Sequence, residues 1–514
     1  MYAKRIFLVL ILLIPVCAFS QKTEKIELLN ADVSEFDESL NANATRLIGN
    51  VIFRHQNALM NCDSAYLYRD ENRIEAFNNV RINQGDSLIL TGNRLLYNGD
   101  TKMAQVFDDV VMTDRKMTLR TSRLDYDMFN DIAFYTDSGN IVDGPNTLTS
   151  KLGYYYSKTN DLYFRNNVLL VNPKYTMNCD TLRYNTVSKT AFFLGPTYIH
   201  SSDNIIYCEN GWYNTETQKS NFKDNSYLQT KEQLLKGDSV LYDRTNGVGK
   251  VFGNVEITDT TNNIIINGDY GEYHEKTDSS WVIGHAMLTQ IMDGDSLFLH
   301  GDTLMAIGSP ANDSVQEENS KKNLYAFHNV KLFKSDLQGM CDSLVFDKRD
   351  STIRLFHMPV LWSGLNQLTA DSVYLQTANS EITHIYLINN SFITALADSD
   401  VTVPKDSIRY NQIRGKDMTG LLAENKLYRI NVVGNGQTIY YAKNKQEKNF
   451  AVNRADCSDL VIDVIENKVK TITLFNEPDG TLYPIRQLAV NELRLKGFSW
   501  FGEQRPKTKE EIFR

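Results

Sequence analysis

Two strings in this chain, Gly85-Asp86-Ser87-Leu88 and Gly294-Asp295-Ser296-Leu297, have the form of a serine nucleophile on a tight turn. Ester hydrolysis at such a serine needs a positioned histidine and an acid that orients it. The 8 histidines (His55, His200, His274, His285, His300, His328, His357 and His384) are scattered, and none stands at metal-ligand spacing from a cysteine or an acid. A further variant, Gly237-Asp238-Ser239-Val240, sits elsewhere in the chain. A nucleophile is singular, whereas Gly-Asp-Ser strings between short apolar runs follow from turn preference. Asp238, Asp269 and Asp302 recur like a calcium column, but the Gly-Gly-x-Gly-x-Asp nonapeptide is missing. Bonds from these carboxylates to turn amides are the expected use. The sequence therefore predicts no catalytic residue, no metal ligand and no cofactor.

Cysteine chemistry is the remaining option. Cys62, Cys179, Cys208, Cys341 and Cys457 follow the N-terminal segment. Cys179 and Cys208 are adjacent copies of one repeated position, so a disulfide between them is conceivable in an oxidising compartment. At the same position other copies carry Gly, Thr or Ala. A small buried residue is the preferred reading.

That repeated position belongs to the element that positions everything else. A pattern of small residue, Asp or substitute, any residue, apolar, any residue, aromatic recurs as CDSAYL from Cys62, GNRLLY from Gly92, TSRLDY from Thr121, TSKLGY from Thr149 and CDTLRY from Cys179. It continues as CENGWY from Cys208, GDSVLY from Gly237, GDYGEY from Gly268, GDTLMA from Gly301, CDSLVF from Cys341 and ADSVYL from Ala370. The steps are 30, 29, 28, 30, 29, 29, 31, 33, 40 and 29 residues. A fixed period of this length means one stacked repeat architecture.

Within a period, short apolar alternations are separated by turn residues, as in FNNVRINQGDSLILTGNRLLY over residues 77–97, and three short strands per repeat are expected. Helical periodicity is nearly absent from 24 to 400. Two apolar columns follow the Asp: Leu95, Leu124, Leu152, Leu182 and Val240 two positions on, and Tyr97, Tyr126, Tyr154, Tyr184, Tyr213, Tyr242 and Tyr273 four positions on. Stacking would make the tyrosines an aromatic ladder. The apolar set three positions before the Asp has the opposite parity, so a bulge or corner must fall near the small-Asp pair. A second landmark, FNNV from Phe77, FDDV from Phe107, FRNNV from Phe164, FGNV from Phe252 and FHNV from Phe327, reads as a turn opening the next strand.

The alternation of an F-x-N-V element with an x-D-x-L-x-Y element resembles the OstA-like, or LptA-like, family of lipopolysaccharide-transport proteins, in a long Bacteroidota-type form, over roughly residues 45–400. The resemblance implies an elongated all-β fold, an open β-jellyroll or taco of short stacked strands around an apolar groove. It implies that Leu95, Tyr97, Leu124, Tyr126, Leu152, Tyr154, Leu182, Tyr184, Tyr213, Val240, Tyr242 and Tyr273 line a groove for acyl chains of lipopolysaccharide or a related lipid. The implied partners are envelope transport proteins, or a second copy, joined by end-to-end β-augmentation. The columns alone fit a filled core equally well. The competing function is a structural or adhesive β-solenoid that binds a protein or glycan without moving lipid.

The ends and the charge complete the reading. Lys4-Arg5, the apolar run from Ile6 to Val16 and Ala18-Phe19-Ser20 predict a signal peptide over 1–20. A retained anchor, or a lipid on Cys17, is the alternative. The expected place is the periplasm, free or associated with the outer membrane. A net charge of -9 argues against nucleic acid. The segments are a lead-in over 21–44, repeats over 45–308, a polar insertion over 309–323, repeats over 324–400, degenerate β repeats over 401–480 and a terminal cap or docking element over 481–514. Residues 508–514 are expected to fray, and the strand carrying Val51 and Phe53, in the first full repeat, is expected at the open edge.

Overall fold

A computed structural model of the chain describes residues 24–36, 44–85, 88–115, 117–202, 204–231, 233–261, 263–292, 295–308, 323–378, 381–397, 408–423, 426–443, 449–465, 468–485 and 487–514. The segment expected to be a signal peptide and residues 309–322 of the insertion lie outside them. The chain divides into two compact units, one ending at Ser188 and one beginning at Lys189.

In the N-terminal unit the strands Ala58–Tyr68, Arg73–Gln84, Leu88–Asn98, Met103–Asp114 and Met117–Asp127 pair antiparallel, each with the next. Each is 11 or 12 residues long. The period thus holds two bent strands, two of the three short runs expected from the sequence being halves of one strand. Each strand is bent in the middle, where the register slips, as between Phe77 and Val80.

The bend explains both repeated landmarks. Asn78 and Asn79 take left-handed φ values of 61° and 49°, as do Asp108-Asp109, Asn166-Asn167, Asp224-Asn225 and Asn389-Asn390. Asn and Asp are the side-chain-bearing residues that tolerate this region best. Two residues then face one on the neighbouring strand, a bulge that reverses inward and outward parity. The Asp of the other landmark clamps the bulge: Asn79 Nδ2 donates to Asp63 Oδ2 at 2.8 Å, Asn329 to Asp302 at 2.9 Å and Asn390 to Asp371 at 3.0 Å. The acceptor set is the one the sequence suggested; in these copies the donor is a side-chain amide rather than the expected turn N–H. The residue before the Asp must be small because a Cβ at Gly92 would lie 2.5 Å from Val106 Cγ1, and one at Gly237 would lie 2.3 Å from Val251 Cγ1.

Folding each strand at this crease lays two half-sheets face to face. The strand expected at the open edge is not there. Glu27–Asn30 and Val33–Phe36 pair with the two halves of Thr45–His55 and cover it, so Val51 and Phe53 are fully buried. The edge is formed by the lead-in segment, with Val33 46% and Phe36 63% exposed.

The C-terminal unit continues the same bent hairpins from Thr190–Ser201 onward and ends in two long strands, Lys426–Lys443 and Asn449–Ile465, followed by Lys468–Phe475 and Asp479–Pro484. The chain then turns back as a strap over the outer face of one half-sheet. One outer-face row of directly opposed residues, Gln338, Trp362, Gln367, Thr394, Gln412, Ile439 and Arg454, runs beneath it. Gln412 and Gln367 hold the strap backbone at Leu493, Leu495, Ser499 and Phe501. Arg505 donates to Gln338 Oε1 at 2.8 Å. The expected fraying at the terminus is not found: Ile512 is fully buried and the Phe513 ring lies 4.9 Å from that of His300.

Candidate functional site: the interior between the half-sheets

In the N-terminal unit the row before the crease is Phe53, Met60, Ile82, Leu90, Met112, Leu119, Ile141, Leu148, Leu170 and Met177, each directly opposite the next. None is more than 4% exposed. The facing half-sheet carries the tyrosine column. The tyrosines do not stack on each other, because each repeat contributes a second strand between them: Tyr97, Ala104, Tyr126, Ala133, Tyr155, Leu162 and Tyr184 alternate.

Leu95, Tyr97, Leu124, Tyr126, Leu182 and Tyr184 are buried in this interior. Leu152 and Tyr154 are not in the column. They face outward, Tyr154 stacked on Phe134 at 5.7 Å, and Gly153 and Tyr155 take the inward places. The copy begins one residue later, at Ser150, and reads SKLGYY. The threonine at 149 mimicked the small position, and the true +2 residue is a glycine that carries no apolar signal. Gly153 is there to admit Tyr135, whose ring a Cβ would meet at 2.4 Å.

The far ends of the half-sheets are tied together. Tyr155 donates its hydroxyl to Asp114 Oδ2 at 2.5 Å, and Tyr184 to Asp143 Oδ2 at 2.9 Å. His55 Nε2 donates to Glu24 O at 3.1 Å, which leaves Nδ1 to accept from the Tyr97 hydroxyl, 2.5 Å away. Gln84 reaches across to Asp131 at 2.9 Å, and Arg115 to Asn160 at 3.0 Å. His55, Gln84, Asp114 and Asp143 each end a half-strand of the apolar row, at steps of 29, 30 and 29 residues. That polar recurrence was available in the sequence and is the signal a search for apolar columns passes over.

Burial raises the pKa of Tyr97, Tyr126 and Tyr155, and holds that of Tyr135 up at about 12. The unfolded chain releases these protons near 10 while the folded chain keeps them, so above pH 10 the folded state binds more protons and loses stability. Alkaline titration should therefore unfold the chain above the ordinary tyrosine range, with tyrosinate absorbance at 295 nm rising together with loss of sheet. Tyrosinate that appears smoothly from pH 10 with the fold intact would contradict the burial.

In the C-terminal unit one stretch of the equivalent row is less buried. Leu228, Leu235, Ile257 and Ile266 are half-buried, between buried Ile199 and Ile206 on one side and buried Leu288, Leu299 and Leu332 on the other. Opposite it the column reads Tyr213, Ser220, Tyr242, Gly249, Tyr273, Ser280, Ala306 and Leu324. Tyr213 and Tyr242 are half-buried and Tyr273 is 36% exposed, while Val240, nearer the crease, is buried. Small partners remove the volume that would fill the space. A small crevice is bounded by Ile257, Ile266, Ser280, Val282, Leu304 and Ala306.

The residues that suggested other chemistry are occupied structurally. Asp86 and Ser87 lie outside the described residues. Asp295 accepts from the Ser335 hydroxyl at 2.5 Å, and Ser239 donates to Asn221. His285, His328 and His357 sit at left-handed crease positions, beside Asp269 in the first case and Asp342 in the other two. Among the described residues no group of three or more His, Cys, Asp or Glu is placed to hold a metal ion. Cys62, Cys208 and Cys341 are buried thiols whose pKa burial pushes up to about 12. Cys208 carries a free thiol, so the conceivable bridge to Cys179 is not made.

Comparison with known proteins returns the family the repeats resemble. No curated protein matches the chain. Among solved structures, LptH, the LptA-homologous periplasmic component of the lipopolysaccharide transport device of Pseudomonas aeruginosa, matches at 13% identity and a TM-score of 0.22. That match covers 29% of this chain and 99% of LptH. The model of the family described as OstA-like protein matches residues 23–180 and 177–238, under half of the 514 residues. Over that region the chain is homologous to OstA-like proteins.

Proposed function

We propose that this chain is a periplasmic, non-enzymatic protein that shields the acyl chains of lipopolysaccharide, or a related envelope lipid, in the open interior of its C-terminal unit. A periplasmic location is consistent with the OstA-like homology. The observation that carries the reading is the half-buried apolar strip Leu228, Leu235, Ile257 and Ile266, set inside a bent sheet rather than on its surface. Apolar surface costs about 25 cal/mol per Å² left in water. An interior that keeps such a strip wet has a use for it, and a flexible hydrocarbon chain fits a crevice walled by aliphatic residues and floored by Ser, Gly and Ala.

The edge for assembly is Val33–Phe36, which among the described residues pairs on one side only and whose exposed Val33 and Phe36 suit strand addition by a second copy or an envelope transport protein. A photocrosslinker placed at Ile266 in cells should give lipid adducts, and one at outward-facing Lys236 should not. Protein or glycan adducts alone, from either position, would favour a structural or adhesive role instead.

A further inference from the structure

The strap does not use the whole of the outer-face row beneath it. From Ile439 to Gln338 the row is covered, and none of its side chains is more than 3% exposed. Phe333 links Gln338 to Phe298 in the same row, and the strap reaches that far: the Phe298 ring centroid lies 5.5 Å from Lys509 Nζ. Beyond Phe298 the row continues, each residue directly opposite the next, through Thr289, Ile265, Thr258, Leu234, Gln229 and Ile205. Gln229 is exposed and the other five are half-buried. Gln229 is thus a fourth glutamine of this row, lying outside the strap between two aliphatic neighbours. The next row toward the crease carries Tyr198, Tyr207 and Tyr227, followed by Lys236 and Glu256, which neutralise each other at 2.7 Å.

We infer that this stretch is a second strap seat, taken by an extended segment of another protein, with Gln229 bonding its backbone and Ile205, Leu234 and Ile265 receiving its apolar side chains. An amide offers one donor and one acceptor side by side, the complement of an extended backbone. Gln367 and Gln412 of the same row already hold a peptide in that way. Size selects the occupant. The 6 strands from Thr289 to Ile205, at about 4.8 Å spacing and with two outward rows, present roughly 400 Å². A stable pair of folded proteins buries about 800 Å² on each partner, whereas an extended segment of about eight residues spans the seat. The tyrosines argue against a glycan. Tyr207 and Tyr227 stack on each other, 5.3 Å apart at 22°, so their faces are turned to one another and their edges outward. A sugar ring packs on an open aromatic face; a ridge of ring edges instead walls a channel for a chain. The seat lies on the outer face and does not depend on the interior's holding lipid.

The test places benzoylphenylalanine at Thr258 of the full chain in its native cells, which keeps Gln229 and the three aliphatic residues, and maps adducts by peptide mass spectrometry. Arg120, an exposed outward residue of the N-terminal unit, is the control position. Adducts at Thr258 should fall on one segment of a single other protein, at least tenfold above those at Arg120. That segment, made as a fluorescein-labelled synthetic peptide, should bind the purified full chain. Gln229→Glu keeps the shape and loses the donor, and should weaken binding at least tenfold; Leu234→Asp should weaken it as much. Unchanged trypsin resistance of the strap shows that a variant is folded, and if Leu234→Asp is not, Gln229→Glu at its exposed position decides. Adducts only to lipid, to glycan or to peptides of this chain would overturn the seat, as would labelling at Thr258 no higher than at Arg120. A mapped peptide that failed to bind the purified chain would overturn it too. So would binding unchanged in folded Gln229→Glu, since the amide's hold on a backbone is what makes the stretch a strap seat. Each of these outcomes leaves the lipid reading of the interior standing.

Discussion

Replacing Gly153 with leucine should cost the N-terminal unit about 3–5 kcal/mol, combining overpacking of a filled core with loss of a buried hydrogen bond. Tyr135 is held between two glycines. A Cβ on Gly153 would stand 2.4 Å from its Cε1 and Cζ, and one on Gly139 would stand 2.4 Å from its Cζ. The ring cannot swing aside, because it is 2% exposed and its hydroxyl lies 2.6 Å from Ser150 Oγ. Ser150 in turn donates to Leu152 O at 2.8 Å. Pushing the ring out therefore breaks the contact that fixes the start of this repeat. Urea denaturation followed by tyrosine fluorescence would read the loss. The paired variant Gly153→Leu with Tyr135→Ala should recover part of it, since the incoming side chain then occupies the vacated space. A cost below about 1 kcal/mol for the single variant would mean that the site relaxes freely, against a close-packed interior.

The same residue shows how far the sequence could be read. The period, the bent sheet and the need for small residues at the crease were legible, because steric and parity constraints act on every copy and leave a column. The copy at 149–154 was misplaced by one residue because its inward residue is glycine. The pattern identified apolar side chains, whereas here the structure needed none. The tyrosine column was legible as inward-facing, but not as interleaved. Ala104, Ala133, Ser220 and Gly249 belong to the other strand of each repeat, whose partners only the pairing reveals. The open stretch was invisible for a related reason. Leu235 and Ile257 look like Leu90 and Met112 in sequence; what differs is the volume facing them, set by residues tens of positions away. Asp114 and Asp143 look like turn acids until a tyrosine 41 positions later is seen to bond each of them.

The strap is a second place where sequence and structure part, and it carries the other large expectation. Its residues show no repeat, because they do not add a rung; they cross rungs. What fixes them is a row of polar side chains on an outer sheet face, spaced so that glutamines on alternate strands meet the backbone of the returning chain. Gln367 is 1% exposed and uses both ends of its amide: Nε2 donates to Ser499 O at 2.8 Å and Oε1 accepts from Phe501 N at 2.7 Å. Gln412 does the same at Leu493 O and Leu495 N, both at 2.9 Å. An amide is suited to this role because it offers one donor and one acceptor side by side, the complement of an extended backbone. In Gln367→Ala the strap's carbonyl and N–H are left buried without those partners, at about 1–3 kcal/mol each. Strap release should then rise about thirty-fold or more, since each 1.4 kcal/mol is a factor of ten. Trypsin reads this directly, because Arg494, Lys496 and Lys507 lie on the strap and cleavage of a transiently opened segment follows its open population. Gln367→Glu separates packing from bonding. It keeps the shape and the acceptor for Phe501 but sets a carboxylate oxygen against the Ser499 carbonyl, so it should release the strap nearly as readily as alanine does. If both variants were cleaved at the rate of the unaltered chain, the strap would be held by Ile512, Phe513 and the apolar contacts of Leu495 rather than by the glutamine row.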